Sequence, residues 1–478
     1  MRTTVRAWSV VDAPPPRSAA YVLLRRSTLL AVLLLAGCAT VDYEAVPIDT
    51  TEILRELRAS GTTVAVGDAT PGGVGKPLQQ GSMTMARAAA LAVQRNPTLK
   101  LMRAELGVSR ARLVEAGLLP DPSIGWDAMD VLTNQWVNGD TEQENFVVGF
   151  GLTWRVPRPG EISAQESAAY AELEGSEWAV VRAEWALARE VADAWLQVAS
   201  AHARLGVANE LLGLARQTST ALDRAREARA VTGIESNLAA IDVAEFELGR
   251  LDLEDEAIEA RQHLNALMGL SPEADYAISD AESLLDERTM TLDVESLVDA
   301  AIERRPDLAE IVARYAAAEA ELQLEVVRQF PELSIGTGIE LVLPFFSKWN
   351  GPAVDRAFAR REVAKRAVTA EVARLRADVH ASVAAFRRAR RQVDYIAAHV
   401  EPRLEESLRL AEASLSSRNL STLELLLTQR QVLDVRMRAL RARFEAASSY
   451  LRVMSITGEL FGIGTPNKND TPSNTGEE

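Results

Sequence analysis

The chain is written twice, with its elements in the same order each time, and this duplication limits its fold more than any other feature. The first copy opens on a helical stretch carrying Asn96-Pro97-Thr98-Leu99, stops at Pro120, continues through Ser123-Ile124-Gly125 and closes a strand-like run on Val156-Pro157. The second opens on Arg305-Pro306-Asp307-Leu308, reaches Pro331, continues through Ser334-Ile335-Gly336 and closes on Leu343-Pro344. A very long helical pattern follows each run. Pro97 and Pro306 are 209 positions apart, and Pro120 and Pro331 are 211 apart, so the register slips by two. A period this long marks a duplicated half-molecule, not a short-repeat solenoid.

The helical stretches are too long for an ordinary core. Residues 84–118 carry Leu91, Leu99, Met102, Leu106 and Leu113 at helical spacing. Residues 161–231 contain no proline and would extend roughly 105 Å as one helix, the length of a coiled coil or a barrel stave. Trp178, Trp185, Ala192 and Ala199 recur every seven residues, with Val181, Ala188, Trp195 and His202 between them, which reads as a seam. The pattern breaks at Val231-Thr232-Gly233-Ile234-Glu235-Ser236 and returns over 237–268. The second copy runs from about 354 to 416, breaks at Ser417-Arg418-Asn419-Leu420-Ser421-Thr422 and returns to about 457. Pro402 is expected to kink its helix or mark a change of course.

Between Pro120 and Pro157 the periodicity changes to two. Phe146, Val148, Phe150, Leu152 and Trp154 share one face, with smaller or polar residues on the other. That pattern suits a barrel wall in lipid, and a soluble hairpin packed on helices would also carry it. The second copy has only 13 positions between Pro331 and Pro344, against 37 in the first. A bilayer needs about 9–11 tilted residues per strand, so this segment is predicted to be two short strands turning near Gly336-Thr337-Gly338.

The N-terminus reads as an address. Arg25-Arg26 precedes the apolar run Leu29 to Leu35, which ends in Leu35-Ala36-Gly37-Cys38. This resembles the bacterial lipobox, in which the cysteine becomes an acylated N-terminus, and Cys38 is the only cysteine present. Ala39 after it favours, by the same resemblance, sorting to the outer membrane. Residues 1–37 are therefore predicted to be a signal peptide, 38–83 a lipid-anchored extended leader, 84–270 the first repeat and 271–292 a linker. The second repeat is 293–460, with its β segment at 331–345, and 461–478 is a disordered tail. Without residues 1–37 the chain has 47 basic and 67 acidic residues, net −20, which excludes a general nucleic-acid binder. His202, His263, His380 and His399 form no pair at i,i+4, and no phosphate-binding glycine loop or nucleophile elbow occurs. The expectation is a non-enzyme without cofactor or resident metal.

These features together resemble the TolC-type outer membrane factors, the trimeric exit ducts of tripartite efflux and type I secretion systems. The residues that carry the resemblance are the two proline-led openings, Leu343-Pro344-Phe345-Phe346, Trp349-Asn350-Gly351-Pro352-Ala353-Val354 and the two matched breaks. They look most like the CzcC and CusC branch, whose partners export heavy-metal cations. The resemblance implies a mainly α fold with a small β part: duplicated helical hairpins forming a trimeric α-barrel, here with a β-barrel segment truncated in the second repeat. It places a periplasmic adaptor on the breaks 231–236 and 417–422 and an inner-membrane pump of RND or ABC type behind that adaptor. A glycine in each break would permit the tight turn; Gly233 supplies one, and Asn419, which tolerates a left-handed backbone, stands in the other. Glu424 matches a position where the relatives carry a constricting carboxylate, and Leu427 stands where a second acid often occurs. An ordinary solvated helix residue accounts for Glu424 equally well. A lipid-anchored coiled-coil scaffold that conducts nothing is the other reading of the whole chain.

Overall fold

The structure is a computed structural model and describes residues 48–53, 55, 65–66, 76–77, 83–127, 149–278, 293–336, 339–417 and 422–460. The signal segment, Cys38, most of the leader, residues 279–292, the tail and Arg418 to Ser421 lie outside the described residues. The chain divides into two compact units, Met1–Glu56 and Leu57–Glu478. In the first, Asp49 starts a short helical turn by accepting the Thr51 N–H at 2.8 Å.

The second unit is mainly α with a small sheet, and its elements repeat. The first copy is α1 (Met85–Arg95), α2 (Pro97–Ala116), β1 (Ser123–Asp127), β2 (Gly149–Val156), α3 (Glu161–Glu227) and α4 (Gly233–Leu267). The second is α5 (Val294–Arg304), α6 (Pro306–Val327), β3 (Glu332–Ile335), β4 (Ile339–Val342), α7 (Gly351–Tyr395), a π-turn Ile396–Val400, α8 (Glu401–Ser417) and α9 (Thr422–Ile456). α1 and α5 both have 11 residues, and α4 and α9 both have 35.

Local chemistry explains the boundaries. The stretch 84–118 is two helices, not one. Pro97 cannot donate to a continuing helix, and Asn96 ends α1 and caps α2 by accepting the Thr98 N–H at 2.9 Å. Its side-chain amide also donates to the Leu267 carbonyl, which ties the end of α4 to this corner. Both return helices end in a turn closed by a left-handed glycine, Gly269 (φ 65°) and Gly458 (φ 74°). Gly269 lies against Arg95 and Gly458 against Arg304, the last residues of α1 and α5. Pro402 is accommodated without a break: the preceding turn widens so that the Glu401 N–H reaches back to the Ile396 carbonyl.

α3 is 67 residues long, about 100 Å at the helical rise. Its middle is buried under α1 and α4, with Trp195 donating to the Met83 carbonyl at 3.0 Å. Trp185, Ala188, Ala192, Trp195 and Ala199 are buried along the expected seam. His202 departs from it: the ring is exposed and faces the Arg261 guanidinium of α4 at 2.9 Å. Beyond the α1 corner, helices form a row in the order α4, α3, α9 and then α7 with α8.

These four strands join into one sheet in the order β1-β2-β3-β4, all antiparallel, and a separate two-residue pairing joins Ala65–Val66 to Lys76–Pro77. The β2–β3 contact joins the two copies, pairing Trp154 with Ile335 and Val156 with Leu333. β3 and β4 have four residues each and turn between Ile335 and Ile339.

Candidate functional site

Both breaks lie at the end of the helix row remote from the sheet. α3 runs into the first break and α9 runs out of the second, and the two meet where Gln429 donates to the buried Thr218 hydroxyl at 2.8 Å. From that bond α3 continues about 14 Å to Glu227, and α9 begins about 10 Å away at Thr422. Glu227 and Thr422, the helix ends that border the two breaks, therefore lie at nearly the same level.

The first break is a tight, hydrogen-bonded turn, three residues earlier than the sequence placed it. α3 stops at Glu227; the Ala230 N–H bonds back to the Ala225 carbonyl at 2.8 Å, and the Arg229 N–H bonds to Arg226 at 2.9 Å. This is the six-to-one helix stop that usually ends on glycine, and here Arg229 occupies the left-handed position at φ 57°. Gly233 was the residue expected to supply that conformation. It does not: it is the first residue of α4, its φ is not positive, and a Cβ on it would meet nothing within 4 Å. Thr232 caps α4 in a reciprocal box: its hydroxyl accepts the Glu235 N–H, and the Glu235 carboxylate accepts the Thr232 N–H at 2.7 Å. Of the six residues assigned to this tip, Val231 and Thr232 lie in the turn, and Gly233, Ile234, Glu235 and Ser236 form the first turn of α4. Ser236 points inward, its hydroxyl donating to Asp223 of α3 at 2.6 Å. Ile234 points outward and is exposed.

At the second break only Ser417, the last residue of α8, and Thr422, the first of α9, are described. Glu424 and Leu427 sit three residues apart on the exposed face of α9, while Leu425 and Leu426 are buried behind them. No cluster of three or more His, Cys, Asp or Glu side chains suited to a metal ion occurs among the described residues.

Sequence reasoning missed the strongest charge layer near the breaks. Asp242 of α4 is 4% exposed and is held by Arg430 of α9, which also bonds Glu245 at 2.6 Å. This is a direct charged link between the return helices of the two copies, at the level of the Thr218–Gln429 bond because Gln429 and Arg430 are consecutive. The available signal was an acid in line with Ser236 and Ala239, the inward positions of α4.

Along the outer flank of the row, α4 presents Ile234, Leu238, Ile241, Leu248, Leu251 and Ile258, all exposed. Ile234, Ile241 and Leu248 repeat every seven residues, as do Leu251 and Ile258. That is a coiled-coil stripe with no helix seated on it among the described residues. The sheet is equally one-sided. Its register puts Leu152, Trp154, Val156, Leu333, Ile335, Ile339 and Leu341 on one face and Thr153, Arg155, Glu332, Ser334, Glu340 and Val342 on the other. At its foot, Arg158 bonds both Glu161 at the start of α3 and Glu332 of β3, joining the two copies where helices meet strands.

No protein-family model and no curated protein sequence matches the chain. Solved structures do. The outer-membrane channel OprN is 18% identical, with a TM-score of 0.65 over 88% of this chain and 99% of its own. CusC, described for its folding and transmembrane channel formation, is 15% identical, with a TM-score of 0.65 over 83% and 99%. The open state of the MtrE outer membrane channel of Neisseria gonorrhoeae is 15% identical, with a TM-score of 0.62 over 89% and 99%. The chain has the fold of these channels across nearly their whole length.

Proposed function

We propose that this chain is the exit duct of a tripartite efflux or secretion system, a passive channel of the outer membrane. Three copies would close the helix row into a tube, and cargo would enter from an inner-membrane pump of RND or ABC type. A periplasmic adaptor would dock on the two breaks, with Glu424 and Leu427 just inside as the constriction. Acylation of Cys38 would anchor each copy in the outer membrane. The likeness to outer-membrane channels supports this reading, and the Leu343-Pro344-Phe345-Phe346 segment favours the branch that serves metal-cation pumps.

The observation that carries it is the α4 flank. A four-helix row that ends on a bare heptad stripe is an arc of a larger ring, and repetition of a head-to-tail contact closes such an arc. Light scattering of the detergent-extracted protein is expected to give a trimer; a stable monomer would count decisively against the duct. The four-residue strands of the second copy favour a non-conducting scaffold instead. Loss of export on deletion of the gene, with envelope integrity unchanged, separates the duct from that alternative.

A further inference from the structure

The apolar sheet face has a height, and it is too small for a bilayer. β3 and β4 span about 13 Å at 3.3 Å per residue, whereas a hydrocarbon core is about 30 Å thick. β3 pairs with β2 only from Trp154 to Val156. Next to this pairing Gly336 lies against β2, where a Cβ would collide with the Leu152 carbonyl oxygen. Beyond that level, β2 has no described strand partner on its β3 side. An open strand edge is not tolerated in hydrocarbon, so the closed part of the wall ends at the β3–β4 turn.

The helix end of the same face is equally specific. Phe345, Phe346 and Trp349 are exposed, and Phe346 is not covered at all. Phe345 and Trp349 meet edge to face at 5.4 Å, and the Trp349 N–H bonds the Pro344 carbonyl at 2.9 Å, so the loop is a built turn. Lys348, Trp349 and Asn350 are all left-handed, at φ 50°, 57° and 58°, a conformation disfavoured for Lys and Trp and tolerated by Asn. Asn350 secures it by donating to the Glu325 carbonyl at 3.0 Å and carboxylate at 2.8 Å. The strained turn exposes Lys348 together with Phe346 and Trp349. That pairing is complementary to the phosphate level of a lipid surface, where aromatic rings and Lys collect.

Resting on the duct reading, we infer that the second repeat seats in a single lipid leaflet. Ile339 and Ile335 reach toward the bilayer midplane, Leu341 and Leu343 lie in the acyl chains, and Phe346, Lys348 and Trp349 mark the headgroups on the helix side. The β3–β4 hairpin goes no further. One leaflet of the core is about 15 Å, close to the height of this wall.

The test is a depth profile of the full chain carrying single nitroxide labels at Leu152→Cys, Ile339→Cys, Leu343→Cys or Phe346→Cys. The labelled protein is placed in phosphatidylethanolamine–phosphatidylglycerol vesicles, with the unsubstituted chain as control for Cys38. The oxygen-to-nickel collision ratio is expected to rise several-fold from Phe346 through Leu343 to Ile339. A water-accessible Ile339 label with Leu152 in lipid overturns the inference and leaves the duct reading intact. Both labels in water removes the sheet from the membrane and defeats the membrane part of that reading too. Low access to both reagents at Ile339 means a second copy covers the face, which overturns the single-leaflet seat. So does reaction of Ile339→Cys on whole cells with an impermeant maleimide added outside.

Discussion

Removing Arg430 is the perturbation whose consequence is best defined. Its guanidinium holds Asp242, a nearly fully buried carboxylate whose Oδ2 has no hydrogen-bond partner among the described residues. Arg430→Met leaves both oxygens unpaired in the α4–α9 contact. Breaking one side of a buried ion pair costs about 3–5 kcal/mol. Arg430 itself is half-exposed, its side chain 49% accessible, so water offsets part of that, and about 2–3 kcal/mol is expected. The loss is local, because Gln429–Thr218 and the α3–α4 pairs Arg216–Glu247 (2.7 Å) and Arg204–Glu256 (2.5 Å) remain. Hydrogen exchange reads it directly: amides of residues 237–246 should exchange roughly 30- to 150-fold faster, with those around Trp195 unchanged. Asp242→Asn combined with Arg430→Met removes the uncompensated charge and should restore most of the protection. Unchanged exchange in Arg430→Met, or a double variant as fast as the single one, would show that the pair does not hold the hairpins together.

Leu248→Glu puts a charge in the centre of the bare α4 stripe and is expected to convert the proposed trimer to monomer in light scattering, while Leu248→Met leaves it assembled. Gly233→Ala should stabilise by about 0.4–1 kcal/mol, since its φ is ordinary and space is open, and adaptor crosslinking should persist. Arg229→Gly relieves a left-handed non-glycine residue and should add about 0.5–1 kcal/mol to hairpin stability, seen as slower exchange at the turn. At Glu161 burial raises the carboxyl pKa, and the Arg158 N–H and the Arg155 guanidinium outweigh it, so the net shift is downward. A lowered folded-state pKa means stability that is present above the ordinary carboxylate range and is lost as pH falls through the lowered value. The melting difference between the natural chain and Glu161→Gln should therefore be largest near neutrality and close in acid.

The long-range plan was legible because it rests on proline positions and periodicity, which tertiary contacts do not change. Pro97 and Pro306 each begin a helix because a proline is tolerated only where no amide donor is needed. The alternation in Leu333, Ile335, Ile339 and Leu341 became one sheet face because a strand has period two whatever it packs on. The break was harder to place. Gly233 drew attention as the permissive residue, yet the helix stopped earlier, on Arg229, where three backbone bonds outweigh the cost of a left-handed arginine. Pairs such as Asp242–Arg430 and Thr218–Gln429 join residues about 190 to 210 positions apart, and no local pattern links them.

The two copies are related by descent but not by role. The corner before α2 is capped by Asn96, whereas Arg305 has no side-chain cap, pairs with Asp307 and lies 5.4 Å over the Trp185 ring of the other copy. The first copy keeps 37 positions between its prolines and the second keeps 13. In any closed ring the two would alternate, so each tall strand pair is flanked by short ones and can be fully hydrogen-bonded only to the height of its shorter neighbour. Shortening one hairpin of a duplicated chain thus lowers the whole wall. Lengthening β3 and β4 by four residues each, in the same alternation, should extend the pairing with β2 past Leu152. If that variant still gave the depth profile of the natural chain, strand length would not be what sets the seat.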